Sequence, residues 1–163
     1  MKVKVDSNIK DVVDTLKEKL SEYQSQIETT VFRALTLLEA EIVQNIRSGS
    51  GLKVRTGNLL NSIGASKRVT TEANGAVTGS IGPEGVVYAA IHEFGGVTSP
   101  HRIEPRSRNS LKFFGDKGET FAKFVNHPGS RIPARPYLRP AVLAKEDEIL
   151  KEFGLMIKTA FKE

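Results

Sequence analysis

The sequence predicts an α+β fold with a long N-terminal helix, a mostly antiparallel sheet of about four strands and a C-terminal helix packed on the sheet. Two observations indicate this fold. Apolar residues recur every three or four positions at both ends of the chain, and the middle consists of short apolar segments separated by turn signals. With 163 residues, 39% of them hydrophobic, the chain can form one core. We therefore expect residues 1–163 to be a single domain.

The N-terminal helical region is predicted over residues 8–48. Asn8 is a suitable N-cap, and the run at residues 49–51, with two glycines, ends the helix. A continuous helix of this length spans about 58 Å at 1.5 Å per residue, more than a domain of this size needs. Either the helix is kinked near residues 20–26, or its stripe packs on neighbouring subunits. The stripe consists of apolar residues three or four positions apart: Val13, Leu16, Leu20, Tyr23, Ile27, Val31, Leu35, Leu38, Ile42 and Ile46.

The strand-rich region is predicted over residues 55–140. Segments 63–71 and 76–81 are expected to form one hairpin across Asn74-Gly75, and segments 110–114 and 120–126 a second one across residues 115–118. Phe113 and Phe114 point to opposite faces of their strand, so one of them is expected to face a core or a neighbour.

The C-terminal helix is predicted over residues 140–161, because Pro140 suits a first helical turn. Its predicted apolar stripe consists of Val142, Ile149, Phe153, Met156, Ile157 and Ala160.

The positive charge is concentrated in one part of the chain. The formal net charge is +5. Residues 101–140 contain nine basic and three acidic side chains, whereas residues 1–50 contain seven basic and eight acidic ones. One interpretation is a surface that faces DNA or an acidic protein. The other is a solvated segment whose arginines tie down loops.

The sequence offers little for catalysis. It contains no Cys, and His92-Glu93 begins like the helical zinc motif His-Glu-x-x-His but has Gly96 where the second His is needed. We therefore predict a protein that is not an enzyme and that has no metal or other cofactor; a metal-dependent hydrolase at His92-Glu93 is a competing hypothesis. No run of roughly 20 apolar residues suggests a membrane span, and no apolar run near Met1 suggests a signal peptide.

Three stiff, loop-forming motifs carry the most specific information. The first is RTGNLLNSI at residues 55–63, the second VYAAIHEFGG at 87–96, and the third HPG at 127–129 followed by IPARPYLRPA at 132–141. In this order they resemble motifs of the tail-completion and virion-morphogenesis proteins of tailed bacteriophages. The structural residues of the first two are Thr56, Gly57, Tyr88, His92, Glu93, Phe94 and Gly95.

These motifs also have physical interpretations. Thr56 can cap a helical turn, and residues 88–94 suit a short helix that Gly95 ends. The proline-rich arm, residues 131–139, is stiff because proline fixes φ. It is predicted either to contact a neighbouring subunit or partner, or to brace the C-terminal helix. Its candidate contact residues are Arg131, Pro133, Arg135, Tyr137 and Arg139.

The resemblance implies a virion protein that forms a ring, with six subunits to match the tail, at the upper end of the tail or at the neck. Its partners would be copies of itself and adjoining neck or tail proteins, in the host cytoplasm during assembly and in the virion afterwards, without a membrane. The candidate residues for non-specific contact with DNA in the channel are Arg102, Arg106, Arg108 and Arg131. The alternative is a non-specific DNA-binding protein that uses the basic region 101–140.

Overall fold

The structure is a computed structural model that describes residues 9–49, 51–106, 109–115 and 118–161. It confirms the predicted α+β class. In chain order the elements are α1 (Ile9–Gln44), a π-helical turn (Asn45–Gly49), α2 (Asn58–Ala65), β1 (Arg68–Thr71), β2 (Val77–Ser80), α3 (Ala89–Phe94), β3 (Gly96–Val97), β4 (His101–Ile103), β5 (Leu111–Gly115), β6 (Gly118–Ala122), β7 (Val125–His127), β8 (Arg131–Ile132) and α4 (Leu138–Ala160).

The chain forms two compact units, and the first of them is made of two separate segments of the sequence. The first unit comprises residues 1–87 and 136–163, and the second comprises residues 88–135. The first contains α1, α2, α4 and the β1–β2 hairpin, whereas the second contains α3 and strands β3 to β8. The second unit is therefore an insertion, in sequence, between the β1–β2 hairpin and the last helix of the first.

Helix α1 is continuous from Ile9 to Gln44, so it does not break at residues 20–26. Threonines within it do not interrupt it, because their hydroxyls donate to carbonyls one turn earlier, as Thr29 does to Ser25 at 2.8 Å. The π-helical turn that follows ends at Gly49, close to the predicted end. The proposed N-cap, Asn8, lies outside the described residues.

Helix α4 runs antiparallel to α1 and packs along it. Three contacts along the pair establish this orientation: Tyr23 Oη donates to the Ala160 carbonyl at 3.1 Å, Lys145 Nζ lies 4.0 Å from a carboxylate oxygen of Glu41, and Asn45 Nδ2 donates to the Tyr137 carbonyl at 3.2 Å. The expectation that the C-terminal helix packs on the sheet is thus corrected, because the main packing partner of α4 is α1. Its start at Leu138 places Pro140 in the first turn, as predicted.

The core of the first unit lies along the second half of α1. The β1–β2 hairpin also packs on this helix, and Gly79 permits the close approach because a Cβ there would lie 2.7 Å from Val31 Cγ1. Burying each large apolar side chain contributes about 1.5–3 kcal/mol. The most deeply buried side chains are Leu35, Ile42, Ile46, Ile63, Tyr137 and Ala141.

Helix α2 begins at the first motif. Gly57 adopts a left-handed conformation with φ of 77°, and its carbonyl accepts a hydrogen bond from Asn61 N at 2.8 Å. Thr56 Oγ1 accepts a long hydrogen bond of 3.4 Å from Asn58 N. The predicted capping role of Thr56 is corrected, because the N-cap of α2 is Gly57 and the helix start has no side-chain cap hydrogen bond. The predicted strand 63–71 begins later than expected, because Ile63 is a buried residue of α2 and β1 starts at Arg68.

The strands form four separate antiparallel pairs rather than one sheet of about four strands: β1–β2, β3–β8, β4–β7 and β5–β6. The two predicted hairpins are confirmed as β1–β2 and β5–β6, although β6 ends at Ala122 and the rest of segment 120–126 belongs partly to β7. Strands β3, β4, β7 and β8 are only two or three residues long, because neighbouring prolines cannot donate a hydrogen bond to the strand ladder. These prolines are Pro100, Pro105, Pro128 and Pro133.

Within the described ranges, none of the helices has the length and apolar character needed to cross a membrane.

Candidate assembly surfaces

The second motif forms a corner of the second unit. Helix α3 starts after Tyr88, whose ring lies edge-on to that of His92 at 5.7 Å between centroids. The His92 carbonyl accepts a hydrogen bond from Arg135 N at 2.7 Å, which ties the corner to the proline-rich arm. Gly95, with φ of 72°, ends the helix so close to the arm that a Cβ would lie 2.8 Å from Ala134 N. Two sequence motifs distant along the chain thus form one structural joint.

The corner presents apolar side chains to the surface. Phe94 is 69% exposed and Tyr88 is 43% exposed, whereas Glu93 is buried. The His92 Nδ1 atom is buried and has no hydrogen-bond partner among the described residues. The exposed rings of this corner are therefore available for contact with another molecule, since the joint itself is held by backbone atoms and Gly95.

The candidate contact residues of the proline-rich arm differ in exposure. Arg131, Pro133 and Arg135 are exposed in the second unit, and Arg139 is exposed in the first turn of α4. Tyr137 is fully buried in the core of the first unit, where it precedes α4. Because Tyr137 is buried, only the other four residues offer a surface for contact with a neighbouring molecule.

The β5–β6 hairpin carries rings and charges on one face. Its register pairs Lys112 with Phe121 and Phe114 with Glu119, so these four side chains share a face. Lys112 forms an ion pair with Glu119, and its Nζ lies 6.0 Å and 5.9 Å from the ring centroids of Phe114 and Phe121. Phe114 is 79% exposed, and Phe113 on the opposite face is also exposed. Neither face of the hairpin therefore buries its phenylalanine in the chain.

A second contact between a charged side chain and an aromatic ring lies at the β4–β7 pair. The Arg102 guanidinium lies over the Phe124 ring, 3.7 Å from its centroid, and its Nε is 2.9 Å from a carboxylate oxygen of Glu104. His101 and His127 are paired across the ladder with stacked rings, 5.0 Å apart. Sequence reasoning missed the Arg102–Phe124 contact, because the two residues are 22 positions apart and neither belongs to a motif.

The basic residues predicted to face DNA belong mainly to the second unit. Residues 88–135 contain eight basic and four acidic side chains, which accounts for most of the net charge of +5. Arg106 and Arg131 are exposed, and Arg102 is engaged by Glu104 and Phe124 as described above. Arg108 lies outside the described residues.

The first unit exposes apolar side chains on both of its long helices. On α1, Val13, Leu16 and Leu20 are exposed at the start of the same stripe that forms the core further along. On α4, the predicted stripe members Ile149, Phe153, Met156 and Ala160 are partly buried, whereas Val142 and Ile157 are exposed. Sequence reasoning missed the exposed Leu143 and Leu150, although Leu143, Leu150 and Ile157 follow one another at intervals of seven residues, which was a usable signal.

Metal coordination has no structural support in the part of the chain that is described, where no group of three or more His, Asp or Glu side chains could share an ion. Comparisons with protein-family models, with curated proteins and with solved structures find no match for this chain.

Proposed function

We propose that this chain is a structural virion protein of a tailed bacteriophage, a ring-forming subunit that completes the tail or joins it to the head. The proposal starts from the three ordered motifs at residues 55–63, 87–96 and 127–141. Two of them meet in the joint between α3 and the proline-rich arm, through the hydrogen bond from Arg135 N to the His92 carbonyl. A stiff joint of this kind suits a part that must present loops in a fixed geometry.

The observation that carries the proposal is the distribution of apolar surface. Among the described residues, exposed large apolar side chains outnumber buried hydrophobic ones by about two to one. They are grouped on α1, on α4, at the α3 corner and on the β5–β6 hairpin. A protein that works alone in water rarely exposes several apolar groups of this kind, whereas a subunit covers them by assembly.

The proposed assembly is a ring of six copies in the neck or upper tail of the virion, formed after synthesis in the host cytoplasm. A repeated head-to-tail contact closes into a ring when the rotation per subunit divides a full turn. Adjoining neck or tail proteins would bind the rims of the ring. We assign no catalytic step and no cofactor to the protein.

The test is removal of the gene from a phage that encodes it. Lysates should then contain DNA-filled heads and separate tails, visible by electron microscopy, and few infectious particles. Expression of the wild-type chain from a plasmid should restore joined particles, which controls for effects on neighbouring genes. Normal numbers of joined, infectious particles in the deletion strain would contradict the proposal.

Contact with DNA in the channel is the second part of the proposal, favoured by the exposed Arg106 and Arg131 of the basic second unit. Such contacts would be non-specific and weak enough for DNA to slide. Phage with Arg106→Glu and Arg131→Glu should assemble but retain or eject DNA poorly, whereas the matched change Lys151→Glu on α4 should have no such effect. Normal packaging, retention and ejection in the double variant would rule out the channel role of these residues.

The alternative function is non-specific DNA binding by the free protein. The rings of Phe114 and Phe121 beside Lys112 favour it, because exposed rings near cations can stack on bases. Under this alternative, the purified monomer binds single-stranded DNA with an affinity that falls steeply as salt rises. Phe121→Ala and Lys112→Ala should each weaken that binding, and a monomer that does not bind DNA at low salt excludes the alternative.

A further inference from the structure

The apolar stripe of α1 is buried along one half of the helix and uncovered along the other. Leu35 and Ile42 are 5% and 1% exposed, whereas Leu16 and Leu20 are 55% and 66% exposed. Helical periodicity places all four on the same side of α1. This stripe therefore forms the core at one end and, among the described residues, is uncovered along its first turns.

Helix α4 of the same chain cannot supply that partner. The pair is antiparallel, and Tyr23 lies against Ala160, the last residue of α4, by the hydrogen bond of 3.1 Å. Residues 9–22, here called the α1 extension, therefore continue past the end of α4. The extension is about 21 Å long at 1.5 Å per residue.

Helix α4 carries an uncovered stripe of its own. Leu143, Leu150 and Ile157 are 68%, 62% and 51% exposed and follow one another at intervals of seven residues. They lie on the side of α4 away from α1, because the residues half a turn away, Ala141, Lys145 and Glu152, are buried or partly buried. Of these, Lys145 Nζ lies 4.0 Å from a carboxylate oxygen of Glu41 on α1. From Leu143 to Ile157 this α4 outer stripe spans about 21 Å, whereas the exposed apolar side chains of the α1 extension, from Val13 to Leu20, span about 11 Å. The α4 outer stripe is therefore long enough to cover them. Gly154 lies within it, where an added Cβ would meet no atom within 4 Å.

We propose that the α1 extension of one copy packs against the α4 outer stripe of a second copy, and that this contact repeats from subunit to subunit. Each copy has both surfaces, the α4 outer stripe is long enough to cover Val13, Leu16 and Leu20, and the two surfaces cannot meet within one chain. Pairing of two α1 extensions with each other would leave both α4 outer stripes in water, whereas the contact between α1 and α4 of different copies covers both surfaces. The ring closure of this contact rests on the proposed function, but the contact itself does not.

The absence of cysteine from the chain allows a direct test by cross-linking. Two single variants, Leu16→Cys and Leu150→Cys, are purified, mixed at high concentration and oxidised. The proposal predicts a disulfide between the two variants as the main dimeric product. The matched control is Glu18→Cys mixed with Leu150→Cys, because Glu18 lies on the opposite side of α1 and should give little product. Disulfides predominantly between two Leu16→Cys chains, or no dimer above the control, would overturn the proposal.

A second test avoids cross-linking. Leu16→Glu with Leu20→Glu, and separately Leu150→Glu, should each weaken self-association by more than about tenfold, because a charge would be buried in an apolar contact. Since these side chains are exposed in the single chain, the thermal midpoint of the dilute monomer should stay within a few degrees of wild type. Unchanged self-association of both variants would contradict the contact.

Experiments with phage variants distinguish failure of the proposed contact from failure of the proposed function. If particles with Leu16→Glu and Leu20→Glu join heads to tails normally while the gene deletion prevents joining, the contact is wrong and the junction role stands. If the deletion has no effect on joining but the mixed disulfide forms, the contact stands and the junction role is wrong.

Discussion

The hydroxyl of Tyr23 donates to the carbonyl of Ala160 at 3.1 Å, and the Tyr23 ring is stacked on that of Phe161 with centroids 6.5 Å apart. This contact places the last residue of α4 beside Tyr23, which is 14 residues after the first residue of α1. It separates the part of α1 that forms the core of the first unit from the α1 extension. The extension is consequently available to a neighbour without any rearrangement of the helix pair.

Tyr23→Phe removes the hydroxyl but keeps the ring. We expect a loss of about 0.5–1.5 kcal/mol in the free energy of unfolding, the usual net contribution of one hydrogen bond. Tyr23→Ala should cost more, because the contact with Phe161 is also lost. Urea unfolding measures both values, and hydrogen exchange should show faster opening of the last turn of α4. Unchanged exchange in that turn in both variants would contradict the anchoring role.

Ser66 links the end of α2 to the loop after β2. Its buried hydroxyl accepts a hydrogen bond from Gly82 N at 3.0 Å and lies within hydrogen-bond distance of the Ile63 and Gly82 carbonyls. Ser66→Ala should destabilise the protein by about 0.5–1.5 kcal/mol, because it removes the hydrogen bond between the buried Ser66 hydroxyl and the part-buried Gly82 amide. Ser62→Ala is the matched control, since that hydroxyl bonds only to the Leu59 carbonyl of its own helix. Equal effects of the two changes in urea unfolding would disprove the link.

Gly95 combines a left-handed conformation with close approach to the proline-rich arm. Gly95→Ala should cost more than Gly85→Ala, because Gly85 has a similar φ of 70° but no atom within 4 Å of the added Cβ. The control measures the cost of a side chain at a positive φ without a clash, on the order of 1–3 kcal/mol. The excess for Gly95→Ala reports the clash with Ala134 N, 2.8 Å away. Proteolysis of residues 88–135 under native conditions should accelerate only in Gly95→Ala, and equal rates would contradict the close joint.

Lys145 connects α4 to α1 through charge. The hydrogen bond with Glu148 raises the pKa of Lys145 above its usual 10.5, and Glu41 adds to this effect. A raised pKa means that the folded protein favours the charged form. The resulting stabilisation is complete below the unfolded-state pKa and is lost as the pH rises through the higher pKa of the folded state. Lys145→Met should therefore destabilise the protein at pH 7 and less at strongly alkaline pH.

The matched control for Lys145→Met is Lys151→Met, on another side of α4. Lys151 is exposed and forms no ion pair among the described residues, so this change controls for the loss of a lysine side chain from α4. Thermal unfolding from pH 7 to 11 compares the three proteins. A difference between wild type and Lys145→Met that stays constant across this range would contradict the role of the charge.

The sequence predicted the helices and the local hairpins well, since periodicity and turn residues are local signals. The stripe from Val13 to Ile46 indicated one long helix, and Asn74-Gly75 located the β1–β2 turn. The sequence could not show that α4 pairs with α1, because two apolar stripes do not specify which of several surfaces each one covers. Nor could it show the β3–β8 and β4–β7 pairs, which join segments about 25 or more residues apart by ladders of two or three residues.

The candidate surfaces were predictable only in part. Gly95 ends α3 as its position suggested, with φ of 72° and ψ of −179°. Tyr137, however, is a core residue, because the proline-rich arm leads directly into the buried start of α4. The exposure of Leu143 and Leu150 depends on which side of α4 meets α1, and that choice is made by tertiary packing rather than by local sequence.

The central claim is that this chain is a subunit that assembles with itself at the end of a phage tail. The most direct test is the mass of the purified protein by light scattering, alone and after mixing with tail tubes that lack it. We predict a mass of about six chains, reached either in solution or only on the tubes. A protein that stays monomeric in both conditions and does not bind the tubes would contradict the claim, and salt-dependent DNA binding by that monomer would favour the nucleic-acid alternative.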